Sequence, residues 1–180
     1  MAYHHLALAT ADIKETHAFY EGIMGFELVK VEVGPLIGGG WGKHFFYRID
    51  GNDGKFIAFW ELNDTPDPDA HEYNLNKAGR LPEGTNHFSF DVSTQEALDA
   101  ARTRWNDAGL DVLEINHNWC HSVYTRDPDG NMVEFCLTTG HFTSDDRDHA
   151  LAMLSETEFK PTPPPSAMVP WPAQKEQGRT

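Results

Sequence analysis

The chain has 180 residues, long enough to bury a core either as one domain or as two small fused modules. Its 39% hydrophobic and 23% charged residues exclude a disordered polymer, since both lie in the globular range. With 28 Asp and Glu against 14 Lys and Arg, the formal charge is −14, which argues against a basic groove for nucleic acid and against an anionic membrane surface while leaving small substrates open.

Cys120 and Cys136 are the only cysteines and form no CxxC pair, so two free thiols in a reducing compartment are expected. No apolar run reaches the length of a membrane span. The opening stretch MAYHHLALATAD has neither the basic region nor the apolar core of a secretion signal, and the cytoplasm is the expected location.

In chain order, His4 to Thr10 alternates and reads as a short strand. Thr10 and Asp12 are helix-capping types, and Ile13, Thr16, Phe19, Tyr20 and Ile23 fall at helical spacing up to Met24, with Gly25 as the stop. Phe26 to Val33 is rich in β-branched residues and reads as a strand, followed by a glycine-rich loop to Gly40. Trp41 to Ile49 and Lys55 to Leu62 are two further strands, separated by a turn at Asp50-Gly51-Asn52-Asp53-Gly54. These elements give a first βαβββ module over 1–62. The polar, proline-containing stretch 63–84 is long for a connection inside one unit and reads as a linker.

The same order then recurs over 85–140. A strand from Asn86 to Val92 precedes a helix from Thr94 to Gly109, capped by Ser93 or Thr94, with Ala97, Leu98, Ala101 and Trp105 as its apolar stripe. Strands follow at Asp111 to Ile115, Trp119 to Arg126 and Asn131 to Thr138, the last two joined by an Asp127-Pro128-Asp129-Gly130 turn. The tail, 141–180, holds an amphipathic segment from Asp145 to Glu156 with Ala150, Leu151 and Leu154 on one side. Beyond it, KPTPPPSAMVPWP contains six prolines and should be extended. That segment is either a disordered end or an arm anchored by Met168, Val169 and Trp171.

Each module opens with a histidine on its first strand, His5 in HHLALAT and His87 in NHFSFDV. Strand alternation groups His5 with Ala7 and Ala9, and His87 with Ser89 and Asp91, turning the bulky Leu6, Leu8, Phe88 and Phe90 toward the following helix. Glu134 lies between Val133 and Phe135 in a strand otherwise apolar, where an unpaired carboxylate is expensive. Two neutral imidazoles and one carboxylate are the ligand set of a divalent metal with open positions, as in non-haem Fe(II) oxygenases. A cation would also offset the desolvation of the carboxylate.

HHLALATADIKETHAFYEGIMGFELV, NHFSFDV and DPDGNMVEF resemble the vicinal oxygen chelate superfamily. That group includes glyoxalase I, methylmalonyl-CoA epimerase, bleomycin- and fosfomycin-resistance proteins and type I extradiol dioxygenases. The resemblance covers residues 3 to 140. It implies an α+β fold in which paired βαβββ modules form a cupped, mainly antiparallel eight-stranded sheet around one metal, held by His5, His87 and Glu134.

Extradiol ring-cleaving enzymes share a further pattern, matched here by Ile115-Asn116-His117, five residues, Val123-Tyr124, two residues, Asp127-Pro128-Asp129-Gly130, three residues and Glu134. By that resemblance His117 and Tyr124 would hold the substrate oxygen and steady the anion that forms as the ring opens, so Tyr124 must share a hairpin face with Glu134. Trp41, Phe45, Phe46, Phe59 and Trp119 could line an apolar pocket. The implied partners are a small catechol-like aromatic and O2, the implied metal is Fe(II), with Zn, Ni or Mn as alternatives, and the implied assembly is a homo-oligomer such as a homodimer.

One departure stands out. Extradiol enzymes carry an acid–base histidine on the strand that here reads Gly54 to Glu61, and that strand has none; His44 and His121 are the nearest spare histidines, and spacing selects neither. Glu61 instead resembles the fourth metal ligand of glyoxalase I, and a His/Glu/His/Glu site would support lyase or isomerase chemistry. A non-catalytic small-molecule binding protein is the third possibility.

Overall fold

The computed structural model describes residues 3–49, 51 and 54–173; Asp50, Asn52 and Asp53 of the expected turn lie outside them, as does the end of the tail from 174. The first half contains β1 (His5–Ala9), α1 (Ile13–His17), a π-helical turn over Ala18–Ile23, β2 (Glu27–Pro35), β3 (Trp41–Arg48) and β4 (Phe56–Asn63). A 3-10 turn (Pro68–Ala70) and α2 (Leu75–Ala78) follow. The second half contains β5 (His87–Asp91), α3 (Gln95–Asp107), β6 (Val112–Asn116), β7 (Cys120–Arg126), β8 (Met132–Thr138), α4 (Ser144–Met153) and β9 (Ala167–Trp171).

The paired βαβββ organisation is present, with the strands in two sheets ordered β1-β4-β3-β2 and β5-β8-β7-β6-β9. In both, the first strand of the repeat lies beside the fourth. The two halves thus repeat a topology although their sequences diverge. Contacts divide the chain into two compact units, Met1–Phe88 with Arg126–Val133, and Ser89–Thr125 with Glu134–Thr180. The stretch 63–84 belongs to the first unit.

In the first unit, Asp12 caps α1 by accepting from the backbone N–H groups of Lys14 and Glu15. Thr10 takes no part in the cap, and its hydroxyl meets that of Thr16 at 2.6 Å. The helix then widens. The Met24 N–H donates to the Phe19 carbonyl, five residues back, at 2.8 Å. A regular helix would place Met24 about 140° around from Phe19; the five-residue turn brings it back over Phe19, so Phe19, Tyr20 and Met24 are all buried. They pack with Tyr47, Ile57 and Phe59 on one face of the sheet, Tyr20 and Phe59 having ring centroids 4.5 Å apart. Leu6 stays exposed and Leu8 is half-buried, so β1 contributes less to this core than its alternation suggests.

The turn between β7 and β8 is tied to several other segments of this unit. Asp127 is buried, accepting from the Tyr20 hydroxyl at 3.0 Å and from the Asn131 backbone at 2.8 Å. Asp129 accepts from the Ala11 backbone at 3.0 Å. The Gly130 carbonyl accepts from the Asn74 side chain at 2.7 Å, and the Asn131 side chain accepts from the Leu75 backbone at 2.9 Å. Gly130 has φ of +77°, the left-handed region where a side chain is strained. Asn74 and Asn76 are buried, so the connecting stretch is pinned by amide side chains despite its polarity.

In the second unit Thr94 caps α3 by accepting from the Ala97 N–H, and the buried stripe is Leu98, Ala101 and Trp105, with Ala97 exposed. Helix α4 has a full capping box between Thr143 and Asp146, and none of its residues is buried. The tail forms a strand. Antiparallel pairing sets Glu114 opposite Val169 and Leu113 opposite Pro170, an edge position that tolerates proline. Trp171 is the anchor: its indole donates to Glu114 at 2.8 Å, and the Arg102 guanidinium lies 4.5 Å over its ring. Met168 and Val169 remain exposed. Both cysteines are free. No helix among the described residues is long and apolar enough to cross a membrane.

Two measurements follow. Burial is the main cause that pushes the Asp127 carboxyl up to about 6 from an ordinary 3.8. Between those values the folded protein holds the extra proton, so this group's stabilising contribution is complete below 3.8 and is lost as pH rises through about 6. Urea titrations from pH 4 to 7 should show the wild type losing on the order of 2 kcal/mol relative to Asp127→Asn across that window; parallel profiles would contradict the assignment. Separately, Trp171→Ala should lower the urea-unfolding free energy by about 1–2 kcal/mol, through the lost indole hydrogen bond and cation–ring contact. An unchanged midpoint would mean that the tail strand is unanchored.

Candidate functional site

His5 lies opposite Phe56 in the parallel β1–β4 register, and Ala7 lies opposite Ala58. Antiparallel pairing of β3 with β4 sets Phe46 against Ala58 and His44 against Trp60. Alternation therefore gathers His5, Ala7, Phe56, Ala58, Trp60, Phe46 and His44 on one face, opposite to the helix-packed core. The ring geometry agrees. His5 has its centroid 5.6 Å from Phe46 and 6.1 Å from His44. The His4 and His5 Nδ1 atoms are 2.9 Å apart, close enough for one ring to donate to the other.

His44 is the residue that spacing failed to select. It stacks nearly parallel on Trp60, with centroids 4.0 Å apart and planes 11° from parallel, and is only 8% exposed. Its Nε2 is buried and has no hydrogen-bond partner among the described residues. Burial lowers its pKa first, the neighbouring His5 lowers it further, and Glu32, opposite it on β2, offsets part of the fall, so the imidazole is neutral at pH 7. Gly42, two residues before it, makes room for the indole; a Cβ there would lie 2.9 Å from a Trp60 ring carbon.

His87 opens β5 and is exposed, while Phe88 and Phe90 turn inward, as alternation requires. Its Nδ1 lies 3.1 Å from the Gly84 carbonyl. A carbonyl only accepts, so Nδ1 carries a proton in this contact.

In the second unit His117 lies in the β6–β7 turn, and Tyr124 lies on β7. His117 Nε2 and the Tyr124 hydroxyl are 2.9 Å apart. Tyr124 also hydrogen-bonds the Glu134 carboxylate, so the two share a hairpin face; Glu134 is 4% exposed. Burial raises the Tyr124 pKa far above the phenol range, a hydrogen bond from Ser122 opposes this, and Glu134 adds to the rise. The phenol keeps its proton and donates it to the carboxylate. With that proton spent, its oxygen accepts from His117, which fixes the Nε2–H tautomer. Cys136 lies near the same group, and burial pushes its thiol up to about 11.

Other expected members are elsewhere. Glu61 follows Trp60, so alternation turns it to the face opposite His5, where it pairs with Lys43 at 2.7 Å. The expected fourth ligand is thus engaged by a lysine on the wrong face. Of the anticipated aromatics, Phe46 alone faces His5. Phe59 is core, Phe45 and Trp41 fall on the opposite face, and Trp119 meets Phe142 at 5.3 Å. His121 is held by Glu114 at 2.8 Å and Gln95 at 3.0 Å, a structural role. Among the described residues no three His, Cys, Asp or Glu side chains are gathered as a metal-binding group. By residue type, His5, His87 and Glu134 are donors that a divalent ion accepts.

The fold recurs in solved structures. A glyoxylase/bleomycin resistance protein/dioxygenase domain from Frankia sp. EAN1pec aligns with a TM-score of 0.59 and 18% identity, covering 77% of this chain and 98% of its own. TnmS3, an antibiotic binding protein from Streptomyces sp. CB03234, aligns at 0.53 and 16%, covering 77% and 97%. The fosfomycin resistance protein FosX from Listeria monocytogenes aligns at 0.51 and 20%, covering 82% and 98%. No curated protein sequence matches the chain. The family model matches residues 2–135, which span both βαβββ repeats and end just past Glu134. The chain belongs to the Glyoxalase/Bleomycin resistance protein/Dioxygenase superfamily.

Proposed function

We propose that the protein is a metal-dependent extradiol-type dioxygenase that opens a catechol-like ring with O2. The observation that carries this reading is the Tyr124 phenol, held protonated by burial, between His117 at 2.9 Å and the buried Glu134. Ring opening adds both atoms of O2 to the diol and needs no external reductant. Negative charge builds on oxygen as the ring opens, so the site needs a preorganised donor and little bulk water.

Tyr124 supplies that donor. Its O–H is directed at the Glu134 carboxylate, and a substrate oxygen brought within reach competes for that hydrogen bond. His117 keeps donating to the phenol oxygen throughout, which limits the charge Tyr124 must carry if it gives its proton up. His5, His87 and Glu134 are the proposed ligands of one divalent ion, Fe(II) in this reading, which supplies the electronic coupling between ring diol and O2. Both histidines lie on edge strands, β1 and β5. An edge exposes backbone groups that a second copy can pair, so the reading includes a homo-oligomer. The pairing of Glu61 with Lys43 weighs against a lyase site built on that carboxylate.

Protein purified without oxygen should bind about one Fe(II) per chain and consume O2 with catechol, forming a coloured ring-opened product. The His5→Ala, His87→Ala double variant should lose the ion. Tyr124→Phe should keep it and lower kcat by about 10²–10³ with KM little changed, the loss expected for one donor to a developing anion. Metal retained by the double variant would remove the ligand assignment. Turnover of a ketoaldehyde–thiol adduct with Ni or Zn, without O2 uptake on iron, would establish the lyase instead, and catechol binding without turnover on any metal would leave a binding protein.

A further inference from the structure

His44 presents a chemical problem that packing alone does not solve. A phenylalanine at this position would stack on Trp60 equally well, yet the chain places an imidazole there and buries its Nε2 without a partner among the described residues. Leaving such a group unsatisfied is unfavourable, and buried orphans of this kind need a reason. The surroundings supply one. Phe46 lies 4.2 Å from the His44 ring, and Phe56 lies 6.3 Å from Phe46, edge to face. Ala7 and Ala58 form a floor of small side chains between these rings. His5 is exposed, and Phe46 and Phe56 are half-buried, so the rings bordering His44 reach solvent on the face away from the core.

We propose that His44 anchors a hydroxyl of an aromatic ligand on the His5 face of the first sheet, its Nε2 taking that hydroxyl as its missing partner while Phe46 and Phe56 flank the ring. An imidazole nitrogen can hydrogen-bond a phenol oxygen, whereas an unsubstituted ring offers it nothing. His44 therefore selects hydroxylated rings over bare ones. The inference rests on the ring-diol reading above for its ligand class, but it concerns binding and requires no metal.

The test uses metal-free full-length protein and three probes, catechol, phenol and toluene, with binding measured by calorimetry. Wild type should bind phenol and catechol more tightly than toluene. His44→Phe should weaken phenol and catechol by about tenfold, leave toluene unchanged, and melt at or above the wild-type temperature, because the orphan is gone. His44→Gln, which keeps a hydrogen-bonding end, should recover part of the phenol affinity; if His44→Phe fails to fold, His44→Leu takes its place. Equal phenol affinity in wild type and His44→Phe, or no phenol binding by wild type, would overturn the proposal. So would a fall in iron content in His44→Phe, which would make His44 a metal ligand. If the phenol preference depends on His44 while iron-loaded wild type consumes no O2 with catechol, the anchor stands and the ring-cleavage reading falls; O2 uptake with an unchanged phenol preference in His44→Phe gives the converse.

Discussion

The buried carboxylate of Asp127 organises the first unit. One oxygen receives the Tyr20 hydroxyl and the other the Asn131 backbone, so a single side chain ties the π-helical turn to the loop between β7 and β8. Asp129, Gly130 and Asn131 extend those ties to the start of α1 and to the connecting stretch around Asn74. A carboxylate this deep is costly to ionise, and its raised pKa records that cost. The hydrogen bonds it accepts offset only part of the desolvation. Its retention therefore points to geometry, since an apolar residue could fill the space without holding three segments in register. The tie also fixes where β8 begins, and Glu134 stands three residues past Asn131.

The DPDG segment consequently has a different meaning from the one its motif suggests. As part of an extradiol pattern it looks like active-site punctuation, whereas in the fold it is a structural latch. The residues proposed to act on substrate, His117, Tyr124 and Glu134, lie at either end of the pattern. The chain's spacing made that trio legible because a hairpin is a local object, and residues on its two strands meet whenever the turn length sets them on one face. Tyr124 and Glu134 share a hydrogen bond for that reason.

What was illegible needed cross-strand register. Glu61 and Trp60 are neighbours in sequence and occupy opposite faces, and nothing in AFWELND says which of them faces His5. The β1–β4 pairing decides it, through His5 opposite Phe56 and Ala9 opposite Trp60. His44 was hidden likewise, because its place beside His5 depends on two successive strand pairings. The tail posed the same difficulty. Six prolines indicate an extended chain, but the partners that capture it, Glu114, Arg102 and Asn106, lie far away in sequence. The fold class and the repeat, by contrast, follow from local periodicity and were readable throughout.

The chemistry is divided between the two units in a way that the repeat alone does not predict. The face around His5 is aromatic, with Lys30 and Glu32 of β2 beside Phe46 and His44, and one imidazole whose Nε2 lacks a partner among the described residues. The face around Tyr124 holds a protonated phenol, an imidazole and a carboxylate that satisfy one another. The first environment suits holding a flat, weakly polar molecule by contact area with one directional bond. The second suits stabilising charge that appears after binding, because its donor is already oriented and its proton is hard to lose.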